Sequence, residues 1–260
     1  MTGTVLDSMS APFLIFFAVL FGATFGSFAS VLVHRVPVKM SLMTRSQCTS
    51  CGHQIGAWEN IPVLSFIALH GKCRSCGSKF SWSYPALEVG MAVLFAIAPL
   101  VFHSWTAVLL WISLSIFGLP LFLIDVKLHR LPDPLTGALF FASALIIICS
   151  AFAHHHFNRL VPSFVGALAL ATYYFAIVVV SRGGMGMGDV KLSASVGLIS
   201  GYFGLHAVLV SSFTAFALGS LIGVALIVLG KAGRKTAIPF GPFIIVGQMI
   251  SLLVLSHLGS

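Results

Sequence analysis

Between residues 11 and 258 the chain is an almost unbroken succession of apolar runs, most near the roughly 20 residues a helix needs to cross the hydrocarbon of a bilayer. They fall at 11–34, 84–102, 105–124, 135–153, 160–180, 192–204, 206–230 and 241–258. No water is available inside a bilayer to satisfy backbone N–H and C=O groups, so apolar runs of this length must fold as helices. The composition agrees: 58% of the 260 residues are hydrophobic and 8% charged, against about 25% charged in soluble domains. The sequence predicts an all-α polytopic membrane protein. No Lys or Arg precedes Arg35, so the first run lacks the basic flank of a cleaved secretory signal and is expected to be retained.

The 14 basic residues exceed the 6 acidic ones, a net charge of +8, and their placement supplies an orientation. With eight crossings, 13 of the 14 fall on one side: Arg35, Lys39, Arg45, Lys72, Arg74, Lys79, Lys127, Arg130, Arg182, Lys191, Lys231, Arg234 and Lys235. Only Arg159 falls on the other. Treating 192–230 as one crossing would put the last basic loop opposite all the others, so eight transmembrane helices are predicted. The enriched side is the cytoplasmic one, which leaves both termini on the opposite face. The turn-rich segment 35–83 becomes a cytoplasmic insert between the first and second helices. Three regions follow: 1–34, an N-terminal segment with the first helix; 35–83, the insert; and 84–260, a seven-helix membrane core. A positive balance distributed this way serves topology, and no nucleic-acid partner is expected.

The insert carries Cys48-Thr49-Ser50-Cys51-Gly52 and Cys73-Arg74-Ser75-Cys76-Gly77, two CxxCG knuckles separated by 21 residues. So small a segment buries little apolar core, and four thiolates around one tetrahedral Zn²⁺ would supply the missing stability. Two disulfides are the alternative, disfavoured in a reducing cytoplasm. Four Cys ligands leave no open coordination position, so Cys48, Cys51, Cys73 and Cys76 point to a structural metal. Cys149, inside an apolar run, reads as a small core residue.

Carboxylates near hydrocarbon are costly and informative. Asp125 ends the third run and Asp189 opens the sixth, after Gly184-Met185-Gly186-Met187-Gly188. Charge topology puts both at the cytoplasmic boundary, where two facing carboxylates can share a proton and activate water for amide hydrolysis. Each also admits a plainer reading, solvated at a helix end or paired with Lys127 or Lys191. Proton relays use similar residues, so a proton-coupled transporter is a competing class, and a zinc-bearing scaffold a third. Asp133, before Pro134, is expected to N-cap the fourth helix. Glu88 is expected in the first turn of the second helix, where it suits the dipole. Glu59 and Asp7 are expected to be solvated, and His154, His155 and His156 to form an external loop. Gly22 and Gly26 have the spacing of a helix-packing face.

Taken in order, these features resemble the type IV prepilin peptidases, membrane aspartyl proteases of the GxGD class. The resemblance runs through Gly26-Ser27-Phe28, Arg35-Val36-Pro37, the knuckles with Asn60-Ile61-Pro62 between them, and Tyr84-Pro85 with Glu88. It continues through Ile124-Asp125, Leu131-Pro132-Asp133, Gly184 to Asp189, Lys191 and Pro239-Phe240-Gly241-Pro242-Phe243. It implies that Asp125 and Asp189 are catalytic, removing a short basic leader from prepilins or type II secretion pseudopilins at the cytoplasmic face of a bacterial inner membrane. It also implies methylation of the new α-amine with S-adenosylmethionine as donor. In one place the sequence departs from the pattern: Ser30 stands where members often have Asn.

Overall fold

The structure, a computed structural model, describes residues 11–181, 184–231, 233 and 238–258. Asp7, Arg182, Gly183, Arg234 and Lys235 lie outside the described residues. Among those described there are no strands, and eight helices of 17 to 25 residues stand where the eight apolar runs were read. The chain divides into two compact units, one ending at Leu100 and one beginning at Val101.

The first unit contains α1 (Ala11–Arg35), the short α2 (Leu64–Ala68) and α3 (Ser83–Val101). Gly22 and Gly26 do form a packing face. A Cβ on Gly22 would lie 2.7 Å from the Ala92 Cα, and one on Gly26 only 2.5 Å from the Glu88 Cα, so α1 approaches α3 backbone to backbone, as small residues permit. Phe25 packs against Phe95 beside them, with ring centroids 5.7 Å apart. At the end of α1 the Arg35 guanidinium donates to the carbonyls of Ser41 and Thr44, at 3.0 and 2.6 Å, and so folds the start of the insert back on the helix. Before α2, Val63 has φ +60°, a left-handed conformation that a β-branched residue adopts at a cost of about 1–3 kcal/mol.

The second unit comprises α4 (Trp105–Leu128), α5 (Asp133–His154), α6 (Leu160–Ser181), α7 (Met187–Phe203), α8 (Leu205–Val228) and α9 (Gly241–Leu258). Ser104 N-caps α4, its hydroxyl accepting the Ala107 N–H at 3.2 Å. Gly204, at φ +116°, alone separates α7 from α8, so residues 192–230 are two helices and not one. The tightest packing is between α6 and α7, where Gly166 meets Gly197 and Gly201 meets Pro162. A Cβ on any of these three glycines would run into facing backbone. Deeper in the unit, the Ser200 hydroxyl donates to Gln248 Oε1 at 2.5 Å and approaches Ser211 at 3.3 Å, a polar link among α7, α8 and α9.

Among the described residues six helices are long and apolar enough to cross a membrane: α1, α3, α4, α5, α6 and α8. α9 is apolar but shorter, and α7, with 17 residues, falls below the requirement. The reason is where α7 sits. From Leu192 to Tyr202 nearly every side chain is buried, including Ser193, Ser195 and Ser200, so its surface is solvated by protein and need not be apolar.

Several local expectations require correction. Asp133 is the first residue of α5 and makes no capping bond, the N-cap being Pro132; its carboxylate instead receives Lys191 Nζ at 2.6 Å. Glu88 is not in the first turn of α3, because the helix begins at Ser83, and it is buried. Glu59 is not simply solvated. It accepts the Gly56 N–H at 3.1 Å and pairs with His53 at 3.3 Å and Arg74 at 3.7 Å. Cys149 is exposed, on the outer face of a helix apolar enough that a thiol is tolerated there. His154 ends α5 and His155 turns the chain with φ +55°, a connection as expected.

Candidate active site and metal centre

The two knuckles fold alike. In each, the glycine N–H returns to the carbonyl of the first cysteine, Gly52 to Cys48 and Gly77 to Cys73, both at 2.9 Å. Both glycines have φ above +70°, the conformation that lets the turn close without a Cβ penalty. Single bridges, Gln47 with Gln54 and Lys72 with Lys79, close each loop. The four sulfurs lie within 4.8 Å of one another, with Cys48 to Cys76 at 3.8 Å and Cys51 to Cys73 at 3.9 Å. Sulfurs bound at about 2.3 Å around a tetrahedral ion would be about 3.8 Å apart, so the set has the size of a metal cage, and all five cysteines are free thiols. The Ser78 hydroxyl, followed by the backbone amides of Ser50 and Cys51, brings the Cys48 thiol down to about 5, and Ser78 also lowers Cys76. Cys51 goes the other way: the His53 amide favours its thiolate, but the Cys76 sulfur and burial push it up to about 12. A divalent cation held here would bind all four as thiolates and displace their protons.

Asp125 and Asp189 both belong to the second unit. Asp125 sits in the last turn of α4, which runs on to Leu128, and Asp189 in the first turn of α7, which starts at Met187. Both are buried, 5% and 7% exposed, so neither is a solvated helix-end residue. Neither pairs with lysine, since Lys191 is engaged by Asp133. Each is held by a backbone N–H: Gly241 donates to Asp125 Oδ2 at 3.0 Å, and Gly186 donates to Asp189 Oδ2 at 3.1 Å. The two carboxylates are near enough for the charge of one to act on the other.

Three glycines and one leucine set this geometry. A Cβ on Gly241 would fall 2.7 Å from Asp125 Oδ2 and 3.1 Å from the Leu131 side chain, and one on Gly188 would fall 2.8 Å from Leu131 Cβ. Leu131 therefore packs at the backbone beside both aspartates. Gly186 places the N-cap whose N–H the third helical residue, Asp189, accepts. Among the described residues Asp189 Oδ1 has no hydrogen-bond donor although it is buried. Two buried carboxylates, one with an oxygen still open to a donor, form an arrangement that can take a proton from water and polarise a carbonyl. Phe240 and Tyr174, with Phe216 between, build an aromatic wall next to Gly241, with ring centroids 4.9 to 6.2 Å apart.

Three features of the site escaped the sequence reading. The role of Gly241 as donor to Asp125 spans 116 positions and leaves no local trace. The Asp133–Lys191 pair also joins distant segments. The α6–α7 glycine contact, by contrast, does leave a trace that could have revealed it, because Gly197 and Gly201 have the same small-xxx-small spacing as Gly22 and Gly26.

Comparison with known proteins agrees with this partition. Residues 20–102 match the Bacterial Peptidase A24 N-terminal domain, and residues 108–228 match the Type IV leader peptidase family. The Prepilin leader peptidase/N-methyltransferase of Pseudomonas putida is 31% identical over 95% of this chain and 92% of its own length. Those of Stutzerimonas stutzeri and Burkholderia pseudomallei are each 32% identical over 91% of this chain, and over 89% and 84% of their own lengths. No solved structure matches. The identity holds over nearly the whole of both partners, and the chain belongs to the type IV leader peptidase family.

Proposed function

We propose that this chain is a membrane aspartyl endopeptidase that removes the short basic leader of a type IV prepilin or type II secretion pseudopilin and then methylates the new α-amine. The observation that carries the first activity is the pair Asp125 and Asp189, buried, within reach of each other's charge and each positioned by a glycine N–H. Water attacks the scissile carbonyl as one carboxylate takes its proton, while the other, protonated, polarises the carbonyl oxygen. Methyl transfer rests on the relatives, which are named for both activities, and S-adenosylmethionine is the donor it calls for. Asp125→Asn and Asp189→Asn should each abolish prepilin cleavage by purified protein in detergent. Full processing by either variant would refute the dyad.

The cysteine cage is read as a structural zinc site. Its size fits four thiolates around one ion, and Zn²⁺ there would hold the 35–83 insert together without taking part in hydrolysis. Elemental analysis should give about one zinc per chain, and a folded, zinc-free preparation would contradict this. The three-part organisation, 1–34, 35–83 and 84–260, and eight crossings with both termini periplasmic, follow from the basic loops. Accessibility of engineered tags in the loops from each side of the inner membrane tests that topology.

A further inference from the structure

Cleavage is accounted for by Asp125 and Asp189, but methyl transfer has no group assigned to it, and that reaction places its own demand. The new N-terminus is an α-ammonium at neutral pH, and its nitrogen must lose a proton before it can attack. Among its described residues the first unit contains one carboxylate suited to this. Glu88 is 9% exposed, and its Oε2 accepts the Val63 N–H at 2.7 Å. Gly26 brings α1 onto its backbone. Glu59, the other acid described in this unit, already has His53 at 3.3 Å and Arg74 at 3.7 Å as partners. No ion pair reaches Glu88 among the described residues.

A capping role for Glu88 does not account for this. A single N–H can be satisfied by a neighbouring Ser, Thr or Asn, whereas a buried carboxylate without a cation is expensive. The residue it grips is also strained, a β-branched Val63 at φ +60°, and strain that surrounding structure enforces concentrates at functional positions. We propose that Glu88 is the catalytic base of methyl transfer, receiving the α-ammonium of the processed pilin. A proton passes from nitrogen to the Glu88 carboxylate. The freed lone pair bonds to the donor's methyl carbon as the carbon–sulfur bond breaks, its electron pair staying on sulfur. The proton then leaves Glu88 for solvent, and the product is a secondary ammonium.

This rests on the methyl-transfer reading above, and Glu88→Gln separates the two. Glutamine keeps an oxygen to accept the Val63 N–H but cannot take a proton. With an already processed pilin peptide and S-adenosylmethionine, methylation followed by mass spectrometry should fall at least about 100-fold in E88Q, the usual effect of losing a general base. Without donor, E88Q should bind the free-amine peptide about tenfold more weakly than wild type and the N-acetylated peptide equally well. Prepilin cleavage by the same sample reports that the protein is folded, and Glu88→Ala, which also releases Val63, shows what loss of the clamp adds. Wild-type methylation rates in E88Q, or equal weakening for both peptides, would overturn the role of Glu88. Wild-type protein that leaves the amine unmodified would overturn the methyl-transfer reading itself, and with it this assignment.

Discussion

Replacing Gly241 by alanine should disable cleavage without unfolding the protein. The Gly241 N–H donates to Asp125 Oδ2 at 3.0 Å, and the added Cβ would stand 2.7 Å from that same oxygen. Carbon and oxygen do not approach that closely, so the carboxylate must retreat by about half an ångström or the start of α9 must move. Either change weakens a hydrogen bond to a charged group, a contribution of about 1.5–3 kcal/mol, and moves the carboxylate away from its partner. About 1 Å of misplacement at a reacting group costs about 100-fold in rate, so Gly241→Ala should lower kcat for prepilin cleavage about 10- to 100-fold. KM should change little, because Asp125 acts at the scissile bond in either of the two dyad roles and not on the rest of the bound leader. The assay is the initial rate of prepilin cleavage in detergent, beside thermal stability of the same preparation. Gly223→Ala is the control, since its Cβ would meet only Ile238 Cδ1 at an ordinary 3.6 Å. The Leu131 side chain is the other neighbour, at 3.1 Å, so adding Leu131→Ala separates the causes: relief of crowding at Leu131 leaves the clash with Asp125 untouched. A G241A protein that cleaves within about twofold of wild type, or one restored by L131A, would refute the reasoning.

The other expectations are simpler. Gly201→Leu should fail to give folded protein, because even a Cβ there meets the Pro162 backbone and main chain cannot give way as a side chain can; Gly137→Ala, in open space on α5, should be neutral or stabilising by up to about 1 kcal/mol, and recovered folded protein reads both. Lys191→Ala should change thermal stability by less than about 1 kcal/mol, because its pair with Asp133 is exposed on both sides and screened. The Gly56 N–H, and then His53 and Arg74 against the opposing effect of burial, hold the Glu59 carboxyl below its usual 4.5. A depressed acid contributes stability above its unfolded value that disappears as pH falls through the folded one. Glu59→Gln should therefore leave the insert easier to unfold than in wild type at pH 7, with the difference closing below about pH 4; a difference that persists in acid would count against this pairing.

What could be read from the sequence follows from which interactions are local. Helix positions were legible because burial in hydrocarbon imposes one rule on every residue of a run, and the eight runs stand as eight helices. The break at Gly204 was reached through the distribution of bases, a chain-wide property that a local reading of the apolar stretch 192–230 does not contain. Glu88 and Asp133 were misread for the opposite reason. Each was assigned to a helix dipole or cap, the nearest available partner, while the structure gives Glu88 the Val63 N–H and Asp133 the Lys191 ammonium, groups 25 and 58 positions away.

α7, the most polar of the long helices, carries one aspartate of the site, and α4 carries the other. A helix surface that faces lipid must be apolar, which leaves no room on it for a carboxylate or for the serines that line α7. Enclosure by neighbouring helices removes that constraint, provided they come close enough to exclude lipid, and the contact of Gly197 and Gly201 with Gly166 and Pro162 gives α6 that approach. The glycines far from Asp189 and the glycines beside it thus answer to one requirement: a buried carboxylate in a membrane protein needs protein, not lipid, on every side. An α7 pushed off α6 by a side chain at position 197 or 201 would open the side that carries those glycines, and Asp189, in the first turn of the same helix, would lose part of its enclosure before any residue near it had been changed.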